Sequence, residues 1–371
     1  MLDTIVLTLP RDDFVVTDYD RFSPSARHLF CSPFVALKGK GNFRCVQNPS
    51  KVDLQRGIYK PRLTIMKGTV AGGYTLDLRI EFSAPKLLFG NNFDELDEGD
   101  FEAVLKTLNQ RLHEMGVEVH KEALRPASVS AIHFSKNIVL KDYTTSSQVI
   151  SAIAKLNLNS RLDLNKTTFR NEGHAVSFHA NSYEVTFYDK IKDISQARIS
   201  NKRAIENDAG FLMSCNLPRG LEVLRMEVRL NTRRKIKALA KKLSLSPLLT
   251  FQDVFSKFVA KAFLKYFWNQ ITSEATWLQF EKKRPEDILQ EITRANIDIS
   301  PSRALQLLGL IMACNSIGVR GIKSIFRQEV AKTIKRLSGS LNNIAEPCHN
   351  LVHFLQIKQK LEQFESFRLL D

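Results

Sequence analysis

Tyr183-Glu-Val-Thr-Phe-Tyr188-Asp-Lys190 alternates without a break. In an extended chain Tyr183, Val185 and Phe187 fall on one face and Glu184, Thr186, Tyr188 and Lys190 on the other. Leu224-Arg225-Met-Glu227-Val-Arg229-Leu230 repeats the pattern, with Arg225, Glu227 and Arg229 on its polar face. So does Tyr74-Thr-Leu-Asp77-Leu-Arg79-Ile-Glu81-Phe82, with Asp77, Arg79 and Glu81. A period of two with one apolar face belongs to half-buried strands of an antiparallel sheet. Ile5 to Leu9, Ser128 to Phe134 and Ala175 to His179 read the same way.

Two helices interrupt these strands. One spans Phe101 to Met115 and buries Phe101, Val104, Leu105, Leu108 and Leu112, with Asp100 as N-cap and Gly116 as the stop. The other spans Ser147 to Leu156. Beyond residue 235 helical periodicity takes over. A helix from Phe251 to Trp268, capped by Thr250, places Phe255, Phe258, Val259, Ala262 and Phe263 on one face. The sequence therefore predicts an α+β protein. An N-terminal antiparallel-sheet domain with flanking helices covers residues 1–235, and an all-helical C-terminal domain covers residues 236–371.

Lys and Arg number 54 against 39 Asp and Glu, a formal charge of +15 over 371 residues, which favours a polyanionic partner. No apolar run is long enough to span a bilayer and no basic amphipathic segment stands apart, so nucleic acid is expected rather than a membrane. The five cysteines are scattered and lack metal-knuckle spacing, so they read as reduced thiols. The first residues read as a strand without the features of a signal peptide, and a cytoplasmic location is expected.

Several residues could do chemistry. A tyrosine on the polar face beside a lysine can have its pKa lowered and attack a phosphodiester; the other reading of Tyr188 is a half-buried sheet tyrosine. Carboxylate beside arginine on the strands of Glu81 and Glu227 offers a divalent-metal and phosphate site, or a solvated face of paired charges. His133 sits among small residues of its strand. No His-x-His pair, P-loop or Gly-x-Ser-x-Gly elbow is present. A basic stretch, Arg233-Arg234-Lys235-Ile-Lys, follows the last strand. Ser302 to Cys314 and Ile322 to Leu337 read as helices joined at Gly318-Val-Arg-Gly321, the second bearing Lys323, Arg327, Lys332, Lys335 and Arg336. This suits a helix-turn-helix reader of duplex DNA, and equally a helical hairpin with a solvated basic face.

Taken in order, Met1-Leu-Asp3-Thr-Ile-Val-Leu-Thr-Leu-Pro10, Ile80-Glu81-Phe-Ser-Ala-Pro85-Lys86-Leu-Leu-Phe-Gly90-Asn-Asn92, Thr186-Phe-Tyr188-Asp-Lys190 and Arg225-Met-Glu227-Val-Arg229 resemble landmarks of the phage and plasmid replication initiator family, which includes the gene II type nicking-closing proteins of filamentous phages. The resemblance covers about the first 235 residues and is loose in the helical tail. It implies a rolling-circle DNA replication initiator that binds origin duplex and single strand, nicks one strand through a covalent phosphotyrosine, rejoins it later, and works with a host helicase. Carried over by position, Tyr188 is the nucleophile, Lys190 its electrostatic helper, and Glu81 and Glu227 hold Mg²⁺ or Mn²⁺. His133 stands where the family has an aspartate and becomes the third ligand or marks an altered metal site. Arg79, Arg225, Arg229, Arg233, Arg234 and Lys235, with the five cations of the second tail helix, are expected to contact DNA. The alternatives are a non-catalytic DNA-binding regulator, a metal-dependent nuclease or transposase that uses water, and an RNA-binding protein, for which the strands lack the aromatic signature.

Overall fold

Among the described residues nine strands pair into one antiparallel sheet in the order β3-β4-β5-β1-β7-β11-β10-β9-β8. They are β1 (Leu2–Pro10), β3 (Phe43–Gln47), β4 (Arg62–Val70), β5 (Gly73–Ser83), β7 (Ser128–Val139), β8 (Lys166–Arg170), β9 (Ala175–Ala180), β10 (Tyr183–Asp189) and β11 (Val223–Leu230). Two short strands, β2 (Phe14–Val16) and β6 (Val117–Val119), form a separate ribbon. The structure is a computed structural model and describes residues 1–31, 43–70, 73–120, 122–156, 166–170, 174–199, 220–272, 284–344 and 352–368. The fold is α+β, as the alternating strands require.

The apolar halves of the strands share one face. From it Phe82, Phe134, Tyr183 and Phe187 meet Phe251, Phe263, Phe267 and Trp268 at centroid separations of 5.2 to 6.1 Å. Each such ring pair adds about 0.5–1.5 kcal/mol beyond the area it buries. The residues after 236 thus supply a helical layer over the sheet, and one apolar cluster takes in side chains from Met1 to Phe364. Among the described residues no helix is long and apolar enough to cross a membrane.

Helix boundaries differ from the periodicity in instructive ways. The helix Phe101–Glu114 ends at Gly116, whose φ of 77° suits the stop, but Asp100 is already helical and caps nothing. Its carboxylate instead closes a capping box with Asp97 around the short 3-10 turn Glu98–Asp100. The helix expected from Phe251 to Trp268 is two pieces, Phe251–Val254 and Lys257–Thr272. Thr250 caps the first through the Asp253 amide. At the break the Glu98 carboxylate accepts from the Lys257 amide at 2.6 Å and the Ser256 hydroxyl from that of Phe258 at 3.2 Å, so a new N-terminus forms. The turn takes Phe258 out of the apolar stripe and leaves it 69% exposed.

Helical backbone over Pro301–Ile344 folds back on itself at Gly318, which has a φ of 73°. The Arg303 guanidinium donates to the Arg336 carbonyl at 3.3 Å, a pair that a straight helix would hold about 50 Å apart. Asn296 likewise reaches the Ser340 carbonyl. The arms therefore run side by side as an antiparallel hairpin, and its turn packs on Lys155 of the helix Ser146–Lys155.

Candidate functional site

The polar face of the sheet owes its order to strand register. β11 lies between β10 and β7, and its three charged residues each meet a polar partner on both sides. Arg229 is opposite Glu184 and His133, Glu227 opposite Thr186 and Ser135, and Arg225 opposite Tyr188 and Asn137. β9 extends the rows with His179 beside Glu184 and Ser177 beside Thr186. The strands bearing Tyr188 and Glu227 are hydrogen-bonded neighbours, a juxtaposition that local sequence does not encode.

Within this grid Glu227 is the hub. Its Oε2 accepts from the Tyr188 hydroxyl at 3.2 Å, its Oε1 accepts from Arg229 Nε at 2.8 Å, and His133 Nδ1 lies 3.6 Å from Oε1. Arg229 also reaches Glu184 Oε2 at 3.4 Å; Glu184 in turn accepts from Thr186 at 3.1 Å and faces His179 Nδ1 at 3.6 Å. Below them Arg225 is wholly enclosed. It pairs with Asp3 at 3.1 Å, donates to the Ser135 hydroxyl at 2.8 Å and donates to the Asn92 carbonyl.

One end of this face is closed by a second, smaller apolar cluster of Phe93, Ile194 and Val223, formed between the turn after Gly90, the helix Lys190–Ile199 and the strand ends. The turn is held by Glu95, which takes Lys136 and the amides of Asn137 and Phe367. The Glu184, Arg229, His133 row lies at the other end and is open: the Arg229 side chain is 33% exposed, against 4% for Glu227.

Electrostatics follow from that enclosure. Burial works to raise the Glu227 carboxyl, but Arg229, Arg225 and His133 outweigh it and hold it down to about 2. Burial pushes the Tyr188 phenol well above its ordinary value, against the pull of Arg225. Burial opposes the Arg225 charge as well, and Tyr188, Asp3 and Glu227 more than restore it. His133 is lowered by burial, with Glu227 and Asp3 pulling the other way, so the imidazole is neutral near pH 7.

The residues expected from sequence divide accordingly. Tyr188, Glu227, Arg225, Arg229 and His133 come together. Lys190 does not join Tyr188 on the strand face, because the strand ends at Asp189 and Lys190 begins a helix. Its ammonium is buried and donates to Asn92 Oδ1 at 2.6 Å, and the cation acting on Tyr188 is Arg225. Glu81 lies on β5, half exposed, with Arg62 at 3.9 Å, and acts on His133 through its charge without a direct contact to Glu227. Arg79, also on β5, lies 3.8 Å from the Met66 sulfur. Arg233 and Arg234 are exposed at the start of the helix Arg233–Lys242, and Lys235 sits 4.1 Å over the Tyr183 ring. Tyr183 belongs to the apolar face, so those cations gather on the side away from Tyr188. Lys332 and Arg336 are exposed on the hairpin, while the side chains of Lys323, Arg327 and Lys335 lie outside the described residues.

Sequence reasoning missed Asp3, Glu184, Asn92 and Ser135. Glu184 was legible, being on the polar face of Tyr188's own strand. Asp3 was hidden by a register shift between Leu2 and Ile5, which turns it out of the simple alternation.

A divalent ion would need oxygen-rich ligation. Here Glu227 Oε1 and His133 Nδ1 are the two facing donors, Arg229 already occupies that oxygen, and Glu81, which acts on His133 through its charge, pairs with Arg62. Among the described residues no three His, Cys, Asp or Glu converge on a point. The donor set in this arrangement does not fit such an ion. Comparison with protein-family models, curated proteins and solved structures finds no match for this chain.

Proposed function

We propose that the protein is a DNA strand transferase of the rolling-circle initiator type, with Tyr188 as nucleophile. What supports this reading above all is one contact set: the Tyr188 hydroxyl and the Arg229 guanidinium on the two oxygens of Glu227. A phenol oriented by its hydrogen bond to a carboxylate, beside a partly exposed cation, is an arrangement that in-line attack on a phosphodiester can use. The charge of +15 suits a nucleic-acid partner.

In this scheme Tyr188 Oη bonds to phosphorus and the bond from phosphorus to the leaving strand-end oxygen breaks. The phenol gives up its proton to solvent as its bond to phosphorus forms, and the departing oxygen takes one from solvent and leaves as a free hydroxyl. The phosphotyrosine ester keeps the energy of the broken linkage, so that hydroxyl can reverse the reaction without a nucleotide. Arg225 holds Glu227 and Tyr188 in place from below. The resemblance implies Mg²⁺ or Mn²⁺, which the donors around Glu227 do not fit.

A second reading, a non-catalytic DNA-binding regulator, is favoured by the burial of Tyr188, which is 9% exposed with its phenol raised. The two separate in one experiment. Wild type and Tyr188→Phe are incubated with supercoiled plasmid carrying the DNA that flanks the gene, with Mg²⁺ or Mn²⁺, and run on denaturing gels. A nick with covalently attached protein in the wild type alone is the expected result. Specific binding without an adduct assigns the regulator, and nicking that survives in the variant assigns hydrolysis by water.

A further inference from the structure

Arg229 occupies the carboxylate oxygen that a divalent ion would take. It is also the outermost charged group of the buried network, with Glu227 and Glu184 fixing Nε and Nη1 and with Nη2 making no hydrogen bond among the described residues. Glu184 is itself fixed, by the Thr186 hydroxyl at 3.1 Å and His179 at 3.6 Å, and Thr186 is bonded to Ser177 at 3.0 Å. A guanidinium held at Nε and Nη1 by two carboxylates has lost the freedom that an arginine otherwise loses on binding. Its Nη2 group is left to donate to a phosphate oxygen.

The position is right for the same phosphate that Tyr188 would attack. Both groups sit on one carboxylate, Arg229 on Oε1 and Tyr188 on Oε2, so the guanidinium and the phenol flank the same Glu227. Arg225 cannot serve, since it is enclosed, with Nη1 and Nη2 held by Asp3, Ser135 and Asn92 and Nε buried. Lys190 is buried against Asn92.

We propose that Arg229, oriented by Glu184 and Glu227, binds the nonbridging oxygens of the scissile phosphodiester in place of a divalent ion, so that strand transfer by Tyr188 is metal-independent. This rests on the Tyr188 reading above. Arg229 is then a catalytic residue and Glu184 a positioning residue.

The test is the covalent-adduct assay on the full chain in Mg²⁺, in Mn²⁺ and in EDTA, together with calorimetric titration of Mn²⁺ into the protein alone. The rate in EDTA should lie within about threefold of that in Mg²⁺, and Mn²⁺ should show no saturable binding. Arg229→Ala and Arg229→Lys should each slow adduct formation by about 10²–10³-fold, the usual loss for one preorganised donor. Added guanidinium ion should restore part of the rate to Arg229→Ala, which a merely structural role would not allow. Glu184→Gln should raise KM for DNA and be rescued by Glu184→Asp. Wild-type adduct that forms only with a metal overturns the proposal and leaves the tyrosine mechanism standing, as does an Arg229→Ala protein of wild-type rate. No adduct under any condition removes the tyrosine reading and this proposal together.

Discussion

Replacing Arg225 with methionine should destabilise the protein by about 4 kcal/mol, and most of that loss should vanish when Asp3 is made asparagine as well. Arg225 is among the largest fully buried side chains, and it ties β11 to β1 through Asp3 at 3.1 Å, to β7 through Ser135 at 2.8 Å and to the turn after Gly90 through the Asn92 carbonyl. Methionine keeps the apolar stem. What is lost is the charge, and Asp3 is left as a buried carboxylate without its cation. Removing one partner of such a pair costs about 3–5 kcal/mol, while removing both charges costs much less. Asparagine at position 3 still accepts from the Ser83 hydroxyl, now 3.3 Å from Asp3 Oδ1. Urea unfolding of the wild type, both single variants and the double variant, followed by the fluorescence of Trp268 in the core, gives the coupling energy directly. A value of at least about 3 kcal/mol is expected, since the double variant should cost less than half of what Arg225→Met costs and Asp3→Asn carries its own penalty. Strict additivity of the two single changes would refute the claim that Asp3 and Arg225 stabilise one another.

Three further outcomes follow from the same site and from the hairpin. The folded-state pKa of Glu227 is depressed to about 2 from an unfolded value near 4.3, so its stabilisation is present above about pH 4.3 and is lost as pH falls through 2. At about 1.4 kcal/mol per pKa unit that is roughly 3 kcal/mol, and the urea midpoint of Glu227→Gln should fall less steeply than that of wild type between pH 4.5 and 2; equal slopes would contradict the assignment. Tyr188 is raised, so stability is full below the unfolded value of about 10 and is lost as pH rises from there toward the folded one. Tyr188→Phe should therefore resist alkaline unfolding better than wild type, as read by urea midpoints at pH 8 and above 10. Gly318→Ala should cost about 1–3 kcal/mol, since φ there is 73° and the new Cβ would lie 3.1 Å from the Lys155 Cα; an unchanged melting temperature would show that the hairpin turn is not docked there.

How far the sequence could be read depended on whether the information was local. Alternation in Tyr183 to Tyr188 and in Leu224 to Leu230 identifies which side chains share a face, and the structure puts Tyr188, Glu227 and Arg229 on one face. Strand order is not local. Nothing in β10 or β11 says that they are neighbours, or that β7 lies on the far side of β11 to bring His133 opposite Arg229. Lys190 was misplaced because an alternation carried past Asp189 ignores the chain's turn into a helix. Asn92 reaches Arg225 through a backbone carbonyl, which carries no residue signal at all. Phe258 fits a helical stripe only if the helix is unbroken, and the acceptor that helps to break it, Glu98, lies 159 residues away from Lys257.

The polar face poses an energetic question that bears on function. Arg225, Glu227, Asp3 and Lys190 are all buried, and each ion taken out of water costs several kcal/mol before its partners repay any of it. An apolar set of similar volume would stabilise a sheet at least as well, so stability alone does not explain charges at its middle. The exposure along β11 offers a reason. Arg225 and Glu227 are sealed, and Arg229, two residues on along the strand, opens to solvent. The sealed ions fix the tip that water, or a phosphate, can reach. Groups that must not move during a reaction are worth that desolvation, because a donor already oriented needs no reorganisation when charge develops. On this argument the nine-stranded sheet serves as a rigid mount: its apolar face anchors the helices, and its register gathers one phenol, one carboxylate and one guanidinium on its polar face.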